Sequence, residues 1–109
     1  MHEASLMDAL FDEIERVAPR LERVRLVVVR LGELSGVDPE LFLLAWQVAH
    51  ADRGLVHAEL EVVGEPARWV CSVCGGPIGE VLRCPACDAP ARLLAGDALL
   101  LQRVELDDV

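Results

Sequence analysis

Aromatic side chains are scarce in this chain of 109 residues: Phe11, Phe42, Trp46 and Trp69 are the full set. Any core must therefore be built mainly from Leu, Val and Ala. Positive charge is also in short supply, with 10 basic against 19 acidic side chains and a net charge of −9. Such a surface repels phosphate backbones, which argues against a nucleic-acid binder, and it suits cations and neutral or basic protein partners. No apolar run approaches the roughly 20 residues needed to span a bilayer. No secretory leader is expected either: the first residues lack a basic start, and Asp8, Asp12 and Glu13 interrupt the first apolar stretch. A cytoplasmic protein with no membrane partner is expected. The chain has no Gly-rich phosphate-binding loop, and no Ser/His/Asp or Cys/His set outside its paired cysteines. The chain is accordingly read as not an enzyme.

The hydrophobic fraction of 53% supports a single small folded unit. Residues 4–18 predict an amphipathic helix, because Leu6, Met7, Leu10, Phe11, Ile14, Val17 and Ala18 recur at three- and four-residue spacing. Asp8, Asp12, Glu15 and Arg16 fall on the other side, and Pro19 marks the end. Residues 22–31 predict a strand whose centre, Val27-Val28-Val29, suits burial on both faces. After "GELSGVD", Asp38-Pro39 is a helix start with Asp as N-cap and Pro in the first turn. That helix is expected to reach about residue 51, with Leu41, Phe42, Leu44, Ala45, Trp46 and Val48 on its apolar face. Residues 55–63 alternate, with Val56, Ala58, Leu60 and Val62 facing one way and His57, Glu59 and Glu61 the other. Residues 91–106 return to strand character, and Gly96-Asp97 fits a hairpin turn.

All four cysteines fall in the segment between, as Cys71-Ser-Val-Cys74 and Cys84-Pro-Ala-Cys87, nine residues apart. Two such knuckles predict one tetrahedral zinc ion, because a two-residue gap lets both sulfurs of a pair reach the same soft cation. Gly75 and Gly76 allow a sharp turn after the first pair, and Asp88 tolerates left-handed backbone after the second. Four thiolates leave no open coordination position, so the ion is expected to be structural. A thioredoxin-like redox pair would need a βαβ setting that is not found here. The expected architecture is an α+β fold. It comprises a small, mostly antiparallel three-stranded sheet with two helices on one face, plus a zinc-ribbon-like four-cysteine insert. Residues 1–68 and 91–109 form the α/β domain, and residues 69–90 form the zinc-binding domain.

The chain opens "MHEASL". A free α-amine one residue from an imidazole can close chelate rings through the intervening amide nitrogens. Such a nitrogen-rich, nearly planar set suits Ni(II) or Cu(II) and does not suit zinc. On position alone, however, a second-position histidine is most simply a surface residue. The combination of "MHE", "GELSGVDPELFLLAW", the two knuckles and a final strand ending "VEL" resembles the HypA/HybF family, over essentially the whole chain and in matching order. The nine-residue gap between knuckles is shorter than the family pattern by a few residues.

That resemblance implies a nickel metallochaperone for [NiFe]-hydrogenase maturation. It implies transient Ni(II) cargo held at Met1, His2 and Glu3, and structural Zn(II) on Cys71, Cys74, Cys84 and Cys87. It further implies hand-over to the hydrogenase large subunit with the GTPase HypB, and it is compatible with a homodimer. Asp38 matches a family aspartate beside the nickel site, in addition to its ordinary N-cap role. The alternative is a zinc-ribbon module for protein or nucleic-acid interaction, which shares the cysteines but leaves "MHE" unexplained and carries the wrong charge. His50, near a helix C-terminus, is expected to be structural. His57 is expected to be solvated, and Glu33 is placed only within the Gly-rich connection.

Overall fold

A computed structural model describes residues 2–79 and 81–107, with side chains from Glu3 onward. The chain runs α1 (His2–Val17), a short 3-10 turn (Leu21–Arg23), β1 (Val24–Gly32), α2 (Pro39–Ala49), β2 (Glu59–Glu65), β3 (Arg68–Cys71), β4 (Ala91–Ala95) and β5 (Leu99–Leu106). β2, β1 and β5 form one sheet in that order, and β3 with β4 forms a second. The two helices pack on one face of the larger sheet. Met7, Leu10, Phe11 and Ile14 of α1 meet Phe42 and Trp46 of α2 over Val27 and Val29 of β1. Phe11 and Trp46 lie in ring contact at 5.7 Å, so two of the four aromatic side chains sit at the helix–helix seam. As expected for a central strand, Val27, Val28 and Val29 are all buried.

The larger sheet is mixed where the sequence leads one to expect mostly antiparallel pairing. β1 pairs with β2 in parallel and with β5 antiparallel. The cause is the connection: α2 carries the chain back across the sheet, so β2 starts from the same end as β1. β2 also begins later than expected. Leu55 is buried, whereas Val56 and His57 are exposed in a turn, and alternation starts only at Ala58. α2 is amphipathic in a different sense from the expected one. Phe42 and Trp46 are buried, while Leu41, Leu44 and Val48 face outward. The Asp38 cap is present: its Oδ1 accepts the N–H groups of Glu40 at 2.9 Å and Leu41 at 3.3 Å.

Gly96-Asp97 is not a hairpin turn, since β4 pairs with β3 and β5 with β1. It is one of three segments that cross where the two sheets part. The Gly32 and Leu34 N–H groups donate to Ala98 and Gly96 carbonyls at 2.9 and 2.7 Å, and the Glu33 N–H donates to the Glu65 carbonyl at 2.8 Å. The Glu33 carboxylate accepts the Ala67 N–H at 2.9 Å. Glu33 is thus a clasp on the connector between the sheets, a role its sequence neighbourhood does not reveal. The crossing needs backbones closer than side chains permit. A Cβ on Gly96 would lie 2.6 Å from Ala67 Cα, and Gly96 also has φ +101°. A Cβ on Gly32 would lie 2.4 Å from the Gly96 carbonyl carbon. Beyond this crossing the β3–β4 hairpin extends away from the helices. The resulting chain is 55 Å long and has a radius of gyration of 17.6 Å, against roughly 13 Å for a sphere-like domain of this length.

Gly96→Ala is expected to lower unfolding free energy by about 1–3 kcal/mol through overpacking and strain. Gly64→Ala, where nothing lies within 4 Å of the added carbon, is expected to be neutral to slightly stabilising. Urea denaturation of both variants measures the difference, and equal midpoints would contradict the crossing.

Candidate metal centres

Residues 69–90 contain little that could bury itself. Cys71 and Cys84 are the buried residues among those described in the segment. β3 delivers Cys71 at its end, and the Arg83–Pro90 bridge brackets the second knuckle. The four sulfurs come within 4.8 Å of one another. Cys74 Sγ and Cys84 Sγ are 3.8 Å apart, and the edge of a sulfur tetrahedron built on zinc–sulfur bonds of about 2.3 Å is roughly 3.8 Å. All four cysteines are free of disulfides. Backbone donors point at the sulfurs: Val73 and Cys74 N–H at Cys71 Sγ (3.3 and 3.4 Å), Gly76 N–H at Cys74 Sγ (3.4 Å) and Cys87 N–H at Cys84 Sγ (3.3 Å). Those donors stabilise thiolate over thiol. The local backbone is as expected for the knuckles, with φ +74° at Gly75 and +57° at Asp88. The donor set fits zinc: soft ligands, four of them, at tetrahedral spacing, with the negative charge already solvated by amides.

The sulfurs are not electrically alike. The Cys74 and Val73 N–H groups hold the Cys71 thiol down at about 6, while hydrogen bonds to Cys74 and Cys84 push Cys87 up to about 12. Four clustered thiols cannot all ionise without a cation among them, and a divalent ion removes that conflict.

At the opposite end of the chain, α1 begins at His2. Met1 lies outside the described residues, as does the His2 side chain, so of the three residues expected to hold nickel the structure places the Glu3 side chain. Its Oε2 accepts the Asp38 N–H at 3.1 Å. The structure therefore brings Glu3 and Asp38 together, linking the first turn of α1 to the cap of α2. His50 is structural: its Nδ1 lies 2.7 Å from the Leu55 carbonyl oxygen, and its ring stacks on Trp46 at 5.3 Å. His57 is exposed. Among the described residues the four cysteines form the one cluster with metal-ligand spacing.

Comparison with known proteins gives a consistent result. A family model described as HypA, hydrogenase/urease nickel incorporation metallochaperone, matches residues 1–106. The hydrogenase maturation factor HypA of Wolinella succinogenes is 35% identical, covering 98% of this chain and 96% of its own. That of Alkalilimnicola ehrlichii is 32% identical over 98% of this chain and all of its own. A solution structure of a HypA protein superposes with a TM-score of 0.76 at 25% identity, covering 97% of this chain and 96% of its own. The solution structure of the Ni metallochaperone HypA from Helicobacter pylori shares the fold with a TM-score of 0.69.

The cysteine cluster should be acid-labile. A thiol whose folded-state pKa is lowered contributes stability above its ordinary range near roughly 8.5, and for Cys71 that contribution is lost as pH falls through about 6. Protons also compete directly with the metal for thiolates. Zinc-loaded protein is expected to keep its ion near neutral pH and to release it increasingly on acidification, as read by a colorimetric chelator after rapid filtration. Full retention at about pH 4 would contradict the four-thiolate assignment.

Proposed function

The chain belongs to the HypA family of nickel-incorporation metallochaperones, and from that premise we propose that it holds Ni(II) at its own N-terminus and delivers it for [NiFe]-hydrogenase maturation. The nickel donors are the α-amine of Met1, the His2 imidazole and the amide nitrogens of His2 and Glu3. Those amides fall in the first turn of α1, where a helix offers its N–H groups no internal acceptor. A bare cation at a helix N-terminus is disfavoured by about 0.3–1 kcal/mol. Deprotonated amide donors, the Glu3 and Asp38 carboxylates and the chain's negative charge outweigh a term of that size. The observation that carries the reading is the Glu3–Asp38 hydrogen bond. It ties the residue next to His2 to a helix cap, so the metal-binding end has a fixed neighbour. Asp38 keeps its cap and stands beside the nickel donors without ligating.

Zinc on Cys71, Cys74, Cys84 and Cys87 is structural: it folds a hairpin with little apolar surface to bury and takes no part in chemistry. A site of this kind contributes on the order of 10 kcal/mol to folding its segment. The cargo is passed on with partner proteins, namely the GTPase HypB and the hydrogenase large subunit. The chain lacks a phosphate-binding loop of its own, so nucleotide hydrolysis belongs to a partner. The work takes place in the cytoplasm, where both thiolates and the receiving enzyme precursor are found.

A tagless preparation starting at Met1 is expected to bind about one nickel equivalent with the electronic spectrum of a nitrogen-rich planar site. His2→Ala, or one added residue before Met1, should remove that equivalent and leave the zinc content unchanged. Undiminished uptake by both would overturn the proposal. Asp38→Asn preserves the cap and should change stability by no more than a few tenths of a kcal/mol, whereas Asp38→Ala should cost about 1 kcal/mol. Nickel affinity measured in the Asn variant then reports the carboxylate's charge apart from its cap.

A further inference from the structure

α2 has two apolar sides. Phe42 and Trp46 are buried, yet Leu41, Leu44 and Val48 are 49%, 53% and 73% exposed. Their spacing of three and four residues makes one continuous row along the outside of the helix. Three large aliphatic side chains in a row on an 11-residue helix are more than the scattered apolar exposure of an ordinary surface. They form one wall of an open groove of about 370 Å³ between α2 and α1, whose other wall includes Ala4 and Met7. The row from Leu41 to Val48 spans roughly 10 Å, which matches two turns of a docked helix.

The charges at the rim select the occupant. Glu3 and Asp8 line the groove, Glu40 precedes the row by one residue, and among the described residues that line the groove none is basic. The nearby cation, Arg53, is shared between Asp8 at 3.6 Å and Asp12 at 2.8 Å and lies over the Phe11 ring. A second copy of this chain would bring the same carboxylates and a net charge of −9 against this rim. Self-association through this face is therefore opposed, while a cationic partner is drawn to it.

We propose that the α1–α2 groove is the docking site for an amphipathic helix of a partner protein, with aliphatic residues at helix spacing and Lys or Arg flanking them. Leu41, Leu44 and Val48 supply the apolar contact, and Glu3, Asp8 and Glu40 supply orientation and selectivity. Glu3 belongs to both the groove rim and the nickel end. The docked helix therefore lies beside the cargo, and this consequence alone rests on the nickel reading above.

The test uses the full chain, zinc-loaded and tagless, observed by backbone amide NMR. The probe is a synthetic helical peptide with Leu at i, i+3, i+4 and i+7 and Lys at the flanking positions. A matched peptide carries Glu in place of Lys. The Lys peptide is expected to shift amides of α1 and α2 around the groove and to bind at least roughly tenfold more tightly than the Glu peptide. Added salt should weaken it. Leu44→Lys and Val48→Lys, both at exposed positions and each checked for an unchanged melting temperature, should each weaken binding by about tenfold or more. Equal binding of both peptides, shifts centred elsewhere, or indifference to both substitutions would overturn the proposal. So would concentration-dependent broadening of this face without peptide, which would make a second copy the occupant. Nickel titration of the same variants separates the two readings. Lost peptide binding with intact nickel uptake supports the groove as a distinct site. Nickel failure in the unsubstituted chain with peptide binding intact removes the cargo reading and leaves the groove standing.

Discussion

The structure depends on one crossing. The loop after β1, the connector from β2 to β3 and the connector from β4 to β5 meet at Gly32-Glu33, Pro66-Ala67 and Gly96. Here the chain leaves the larger sheet for the cysteine hairpin and returns. The crossing is held by backbone hydrogen bonds and by the Glu33 carboxylate, with glycines where any Cβ would collide. Because these contacts are mostly main chain to main chain, the geometry depends on side-chain absence as much as on attraction. The same loop continues to Asp38, so the segment that clasps the hairpin also begins α2 and reaches Glu3.

The two parts on either side of the crossing are held by different physics. The helices and larger sheet are stabilised by burial, in a core of aliphatic side chains with Phe11, Phe42 and Trp46 at its centre. The hairpin has two buried residues among those described, both of them cysteines. It can hold its shape only through its strand pairing, its turns and whatever the sulfurs coordinate. This difference bears on the two metal roles proposed above. A closed sulfur site has no free position and suits a resident ion. The cargo site proposed above uses ligands outside that cluster, so cargo and resident ion would not compete for the same donors.

α2 joins these features. Its cap is bonded to the first turn of α1, its inner side closes the core through Phe42 and Trp46, and its outer side is left apolar beside an acidic rim. A helix used on both sides explains why its apolar residues run nearly all the way round. In a chain this short, a helix that also served only as core would normally turn a polar side to water.

Much was legible before any tertiary information. Residue spacing determined α1, the cap at Asp38, the doubly buried Val27–Val29, the four-cysteine cluster and the left-handed positions at Gly75 and Asp88, because each depends on interactions within a few residues. Family resemblance, carried by "MHE" and the paired knuckles, determined the functional class. The tertiary structure decided what depends on distant segments. It set the parallel direction of β2, the replacement of a hairpin turn at Gly96 by a crossing, the clasp formed by Glu33, and which aliphatic side chains of α2 face outward. Local sequence reports how a segment prefers to fold and which side chains are apolar, but which of them are covered is a property of the neighbours that arrive.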